Sequence, residues 1–476
     1  MVHLFARNSI TERHDMNEKR QLHLGAFVMA TGNHIAAWRH PAAQADADHN
    51  IDHYRELVKT AERGKFDLVF VADSPADLDG DPEVRARVAG AARFEPITLW
   101  AALCQVTQRL GFVATASTTY EDPYLMARRF LSLDHISKGR AAWNVVTTAG
   151  DVSRNFTVAG HPAHAERYRR AEEFVDLVLD LWDSYEDDAF PRDKRSGLYS
   201  DQSKVHRVEH RGEFFSVAGP LNVARSPQGR PVVVQAGSSE PGRELAARTA
   251  EVVFTAARSL TEGRAFYGDL KSRLRKFNRK PNDLLIMPGL FPIIGGTEAE
   301  AHRNYEELQS LVHPKIAWAI LKEFYVGLDL SRYSLDDNAP PLPPQSEFQS
   351  RHKLVSDLAS GGMTFRQLYL ALATARGHRT TIGTPEQIAD TMSEWFKEGA
   401  ADGFNIMPPV LPGDLQVFVD EVLPVLRRRG LFRSEYEGAT LRENLGLEMP
   451  AHRFAARVPD RKDDADSRAA YGMGGS

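Results

Sequence analysis

Asn144, Thr147 and Thr148 close the apolar run AAWNVV, and His164 and Tyr168 follow where a helical pattern begins. An amide, hydroxyls, an imidazole and a phenol gathered after one strand can hydrogen-bond the polar edge of a flat ligand. A second set is Thr115, Ser117, Thr118 and Thr119, where GFVAT runs into ASTTY. Small hydroxyl residues at a strand end let such a ligand approach the backbone, although a solvated Ser/Thr turn has the same composition. Gly237, Ser238 and Ser239 form a third set between PVVVQA and GRELAARTA, with Arg243 in the first helical turn. Hydroxyls and small residues at a helix N-terminus suit an anion of the phosphate type; a plain N-cap uses the same residues. Asp73 ends the run FDLVFVA as a functional carboxylate, or as an N-cap or loop tie. In the loop TGNHIAAWRHP, His34, Trp38 and His40 could line a substrate pocket. In the competing reading Trp38 packs under the loop and Arg39 pairs with a surface acid.

These sets need strands to deliver them to one place. Apolar, β-branched runs without helical period predict strands at 22–29, 66–72, 111–115, 140–148, 231–236, 251–256, 284–294 and 402–407. Amphipathic periods predict helices at 50–64, 94–110, 122–135, 166–182, 384–399 and 415–429, and the polar 74–93 reads as a loop. Thr384, Pro385 and Gln387 spell a capping box with Pro at the first helical position. Eight strand–helix units favour an α/β fold of the (β/α)8 TIM-barrel kind over an open doubly wound sheet. Both place their chemistry in the loops after the strands. Two segments interrupt the rhythm. Residues 185–228 read as an insertion with two short strands and a Pro/Gly turn. Residues 298–381 read as a mostly helical insertion, broken at NAPPLPPQ, that could close over the barrel mouth. The expectation is therefore one barrel domain over 1–450, insertions included, and a disordered polar tail over 451–476.

Composition narrows the partners. The chain has 476 residues, 42% hydrophobic and 26% charged, with a net charge of −5. That balance argues against a nucleic-acid surface or an anionic membrane as a main partner. The single cysteine, Cys104, sits in the apolar run LWAALCQV and reads as a core residue. One cysteine rules out an internal disulfide and fits a reducing, cytoplasmic setting. No stretch has the length of a membrane span, and the first residues lack the apolar core of a signal peptide. GxGxxG, P-loop, HExxH and GxSxG patterns are absent, and no metal site is expected. Strand-end carboxylates are few, so a glycosidase pair is unsupported. The residues fit a bound phosphorylated cofactor without saying which.

GRAAWNVVT, HAERYRRAEEF and QAGSS, in that order, resemble the luciferase-like flavin monooxygenases. Within them the likeness is to the nitrilotriacetate and dibenzothiophene-sulfone monooxygenase group. AAWRHP, GKFDLVFVAD, GTPEQIAD and AADGFNI add to it, so that the resemblance spans 22–447. It implies a TIM barrel that takes reduced FMN from a separate NAD(P)H-dependent flavin reductase. It also implies oxidation of a small apolar or aromatic compound, organosulfur or haloaromatic, by O2 through a C4a-(hydro)peroxyflavin. By the same resemblance the flavin contacts are Asp73, Thr115, Ser117, Thr118, Asn144, His164, Tyr168, Ser238 and Ser239. Ser238 and Ser239, with Tyr168 helping, fall to the phosphate; Asn144 and the 115–118 loop fall to the ring; His164 falls to the ribityl chain or phosphate. Phe27, His34 and Trp38 fall to the substrate side, and a homodimer or homotetramer is implied. Two other readings stay open on this fold: an oxidoreductase using the deazaflavin F420, and a flavin-binding protein without turnover.

Overall fold

Alternation of side chains along short apolar strands decides the architecture. The computed structural model describes residues 20–75, 81–90, 92–148, 150–156, 160–342, 355–356, 358–375 and 377–454. The strands are β1 (His23–Phe27), β2 (Leu68–Val71), β3 (Gly111–Ser117), β4 (Ala141–Val146), β5 (His210–Arg211), β6 (Ser216–Val217), β7 (Val232–Gln235), β8 (Val252–Thr255), β9 (Leu285–Ile294), β10 (Arg379–Gly383) and β11 (Gly403–Ile406). Strands β1, β2, β3, β4, β7, β8, β9 and β11 pair in parallel, and β11 returns to β1. The result is a closed eight-stranded TIM barrel, as the sequence leads one to expect.

Phe27, Phe70, Val113, Ala142, Val234, Phe254 and Met287 pack together inside the ring. Their neighbours on the same strands, such as Val69, Phe112, Trp143 and Phe404, pack outward against the helices. Those helices are α1 (Ile51–Arg63), α2 (Pro96–Leu103), α3 (Pro123–Ser137), α4 (His164–Trp182), α5 (Glu240–Thr249), α6 (Leu260–Arg273), α7 (Glu298–Ser310), α8 (Pro314–Phe324), α9 (Phe365–Ala375) and α10 (Pro385–Lys397). Side-chain caps start most of them: Asn50 for α1, Glu95 for α2, Asp122 for α3, and the expected Thr384–Gln387 box for α10. Cys104 is buried in the core, as expected.

Several boundaries differ from the sequence reading, each for a local reason. The helix expected over 94–110 leaves α-geometry after Leu103, because the buried Arg140 takes the carbonyls of Cys104, Thr107 and Leu110. The expected loop 74–93 contains one helical turn, Pro82–Arg85, capped by Asp81. In the closing helix a π-helical turn at Phe418–Val422 precedes Leu423–Arg428. Pro424 has no N–H to give there and its ring crowds the preceding turn, and a wider turn accommodates both.

The stretch 298–381, expected to be mostly helical, ends in a ninth strand. Leu290 pairs with Ile406 on one edge and with Arg379 on the other, so β10 occupies the edge of β9 that β8 leaves at Pro288. Helices α8 and α9 bury Leu321, Phe324, Phe365 and Leu368 against each other and against Ala36 of the loop after β1. The two short strands expected within 185–228 are β5 and β6, paired antiparallel. The expected tail lies outside the described residues from 455 onward, as do 343–345 of NAPPLPPQ.

Candidate active site

Parallel register sets Thr115 of β3 beside Asn144 of β4. Both are buried, at 5% and 2% exposure. The Thr115 hydroxyl donates to the Val71 carbonyl at 2.7 Å, so its oxygen can only accept from Asn144 Nδ2, 3.0 Å away. This orients the amide. Asn144 Oδ1 is left buried with no hydrogen-bond partner among the described residues. An unsatisfied buried acceptor costs about 1–3 kcal/mol, which a ligand N–H at this spot would recover. Farther along, Ser117 Oγ and Thr148 Oγ1 lie 2.6 Å apart, and Ser117 also accepts the Thr119 N–H at 3.1 Å. Thr148 reaches Ser117 from a left-handed backbone (φ +43°), a costly conformation for a β-branched residue. Thr118 turns its hydroxyl back onto the Val146 carbonyl.

A second group forms where α4 and α5 begin. Ser239 caps α5, accepting the Gly242 N–H at 3.3 Å and donating to the Tyr168 phenol oxygen at 3.1 Å. Tyr168 therefore keeps its own proton to donate. The His164 ring stands 4.9 Å from that of Tyr168, and His164 and Ser238 are both exposed. A Cβ on Gly242 would come within 3.0 Å of the Tyr168 oxygen, and one on Gly237 within 3.0 Å of the Gly242 Cα. The corner stays open because both are glycine. Arg243 corrects one expectation. It pairs with Glu240 at 3.0 Å and Asp269 at 2.9 Å, so two carboxylates already engage the cation that the sequence offered to an anion.

The remaining candidates lie on the loops after β1 and β2. Asp73 lies two residues after β2 with Arg93 at 3.6 Å; burial pushes its carboxyl above the usual range while Arg93 pulls against that shift. His34 is buried, accepts the Ala36 N–H at its Nδ1, and donates from Nε2 to Gln309 of α7 at 3.3 Å. Gln309 in turn donates to Thr374 of α9 at 2.8 Å. Trp38 donates its indole N–H to the Arg87 carbonyl at 3.0 Å, and Arg39 binds the Leu311 carbonyl and, among the described residues, no surface acid. The loop after β1 is thus tied to the 298–375 helices.

Three residues outside the sequence candidates line the barrel axis with Phe27. Its ring stacks on Phe70 at 4.9 Å and lies 5.4 Å from Phe254, and His378 lies flat on Phe254 at 4.8 Å and 7°. Period two places Phe70 and Phe254 inward, so inward alternation in FDLVFVA and EVVFTA is a signal that could find them. Nothing local marks His378.

Among the described residues no cluster of three His, Cys, Asp or Glu could hold a metal, and no helix is long and apolar enough to cross a membrane. The orphaned Asn144 oxygen and the glycine-opened hydroxyl corner both suit a ring-and-phosphate cofactor such as a flavin mononucleotide.

Comparison with known proteins gives the same direction. Residues 26–402 match the family described as luciferase-like monooxygenase. The N-acetyl-S-(2-succino)cysteine monooxygenase of Bacillus subtilis (strain 168) is 51% identical over 92% of this chain and 99% of its own. Nitrilotriacetate monooxygenase component A of Aminobacter aminovorans is 48% identical over the same shares. The crystal structure of DmoA from Hyphomicrobium sulfonivorans superposes with a TM-score of 0.83 at 32% identity, covering 92% of this chain and 96% of that one. The first two are named as monooxygenases. By sequence and by fold, the chain is an enzyme that belongs to the luciferase-like monooxygenase family.

Proposed function

We propose that the chain binds reduced FMN at the mouth of the barrel and uses O2 to monooxygenate a small organosulfur or haloaromatic compound. The observation that carries this is Asn144 Oδ1, a buried acceptor fixed in direction by Thr115 and lacking a donor among the described residues. Asn144 takes an N–H of the flavin ring. Ser238 and Tyr168 donate to the phosphate, and Ser239 serves that contact by holding the Tyr168 phenol, beside the N-terminus of α5. Ser117, Thr118 and Asp73 border the ring, and His164 flanks the phosphate side next to Tyr168. The bound reduced flavin supplies the electrons and the oxygen activation. The chain's own contribution is to hold that ring and keep water from it, with Phe27, Phe70 and Phe254 as an apolar wall. His34 and Trp38 act at the substrate side by fixing the loop after β1.

A relative named component A supports a two-component arrangement, in which a separate NAD(P)H:flavin reductase delivers FMNH2. A reducing cytoplasm, a homodimer or homotetramer, and one barrel unit over 1–450 complete the reading. The test is anaerobic titration with reduced FMN and, in parallel, with reduced F420. Preference for FMN, with oxygen incorporated into an organosulfur probe when reductase is present, supports it. Preference for F420 overturns it, as does FMN binding that yields only hydrogen peroxide across a panel of such probes.

A further inference from the structure

One buried amide joins three elements at the barrel mouth. Gln309, on the last turn of α7, is 9% exposed. Its Oε1 lies 3.3 Å from His34 Nε2 in the loop after β1, and its Nε2 lies 2.8 Å from Thr374 Oγ1 on α9. The direction of each bond follows from the ends of the chain. The Ala36 backbone N–H donates to His34 Nδ1 at 3.2 Å, so the neutral imidazole carries its proton on Nε2 and gives it to Gln309. The Thr374 hydroxyl donates to the Leu370 carbonyl at 2.8 Å, so its oxygen accepts from Gln309. The bonds thus run one way from the Ala36 N–H to the Leu370 carbonyl, and bonds aligned like this polarise one another. Glutamine suits the middle position because its amide accepts at one end and donates at the other. Neither a carboxylate nor a leucine of similar size does both.

The loop after β1 shows what this chain of bonds holds. Its first half is tied to the barrel. Asn33 Nδ2 donates to the carbonyls of Phe27 and Pro408, and Gly32, at φ +128°, leaves no room for a Cβ beside the Pro409 carbonyl. Its second half is tied to the 298–375 helices. The Ile35 N–H donates to the Ala373 carbonyl at 3.3 Å, Ala36 packs in one cluster with Leu321, Phe324 and Leu368, and Arg39 binds the Leu311 carbonyl. His34 stands where one half passes into the other, and Gln309 holds it there.

We propose that Gln309 is a positioning residue for the substrate side of the reaction. Through His34 it fixes the loop after β1 to α7 and α9, so that loop and helices cover the barrel mouth as one body and keep water from it. The inference rests on the flavin-monooxygenase reading for the chemistry, whereas the clamp itself does not depend on the cofactor.

The test is hydrogen–deuterium exchange of the full chain without flavin, read by mass spectrometry on peptides from the loop after β1. Gln309→Leu keeps a similar volume and removes both bonds. Its Ile35 and Ala36 amides are expected to exchange about tenfold faster than in the wild type. Gln309→Glu keeps the acceptor for His34 and loses the donor to Thr374, so it should fall between the two. Arg442→Ala, at the other end of the strands, controls for lost stability and must leave these amides as they are. Unchanged exchange in Gln309→Leu, or an equal rise in Arg442→Ala, overturns the clamp. If Gln309→Leu does not fold, Thr374→Val breaks the next bond, and the same amides must speed up about threefold. Rapid mixing of the reduced-FMN complex with oxygen, with no organic substrate present, reads the consequence. Gln309→Leu should bind reduced FMN within about twofold of the wild type and shorten about threefold the life of any transient absorbance distinct from oxidised FMN. An unchanged lifetime overturns the positioning role. Failure of the wild type to take reduced FMN would sink the flavin reading alone, because the exchange result still decides whether Gln309 positions the loop.

Discussion

Asn144 gives its amide N–H to Thr115 across the β3–β4 ladder, and that one bond decides which way the amide oxygen faces. Thr115 cannot be the donor, because its proton already goes to Val71. Replacing Asn144 with Leu keeps the volume and removes the acceptor. Reduced FMN is expected to bind about fivefold more weakly, in line with a net hydrogen bond of about 1 kcal/mol. Thr115→Val should act through the same amide and weaken binding less. Fluorescence titration of both variants measures this.

Gly242 makes room for the Tyr168 hydroxyl, and Ser239 bonds both. Gly242→Ala is expected to displace Tyr168 and weaken FMN binding several-fold, with little change in helix stability. Ser239→Ala should do both, since an N-cap is worth about 1 kcal/mol. Thermal melts with and without FMN separate the two effects. FMN affinity unchanged from the wild type in both variants would remove this corner from the cofactor site.

Asp134, on α3 at the base of the barrel, accepts the Ala141 N–H and the Gln228 amide through Oδ1. Burial pushes its carboxyl up to about 6. The folded state therefore favours the protonated form, so this group's contribution is most favourable below about pH 4 and is lost as pH climbs through 6. Asp134→Asn keeps an oxygen for both donors without the charge. It is expected to stabilise the protein at pH 7.5 by up to about 3 kcal/mol and to give no gain near pH 4. Urea melts across pH check the sign.

Arg442 forms a buried pair with Glu251 at 2.6 Å and also holds the Gln228 carbonyl, bolting the segment after the closing helix to the barrel base. Although burial opposes it, the arginine holds the Glu251 carboxyl below its usual range. Arg442→Ala leaves that charge buried and is expected to cost about 3–5 kcal/mol. Affinity for reduced FMN should not change, because the pair lies at the other end of the strands.

The barrel was readable because the strands are short apolar runs followed by amphipathic helices, most of them with a side-chain cap. Thr384, Pro385 and Gln387 set the start of α10 by local chemistry alone. What stayed hidden depends on long-range neighbours. RTTIG is short and polar and becomes β10 only because β9 outruns β8. Arg243 has the composition of an anion ligand, and only the fold brings Asp269 to it. His378 lies in no motif, and only the fold stacks it on Phe254, more than a hundred positions earlier. Asn144 was visible as a polar residue ending a strand, but its unsatisfied oxygen follows from the direction of the Thr115 hydroxyl.

The most direct measurement is anaerobic titration of the wild type and of Asn144→Leu with reduced FMN, followed by rapid mixing with oxygenated buffer. The expected result is tight binding by the wild type with a transient absorbance distinct from oxidised FMN, and about fivefold weaker binding with a diminished transient in the variant. Failure of the wild type to bind reduced FMN, or equal binding by the two proteins, would contradict the assignment of the β3–β4 mouth as the flavin site.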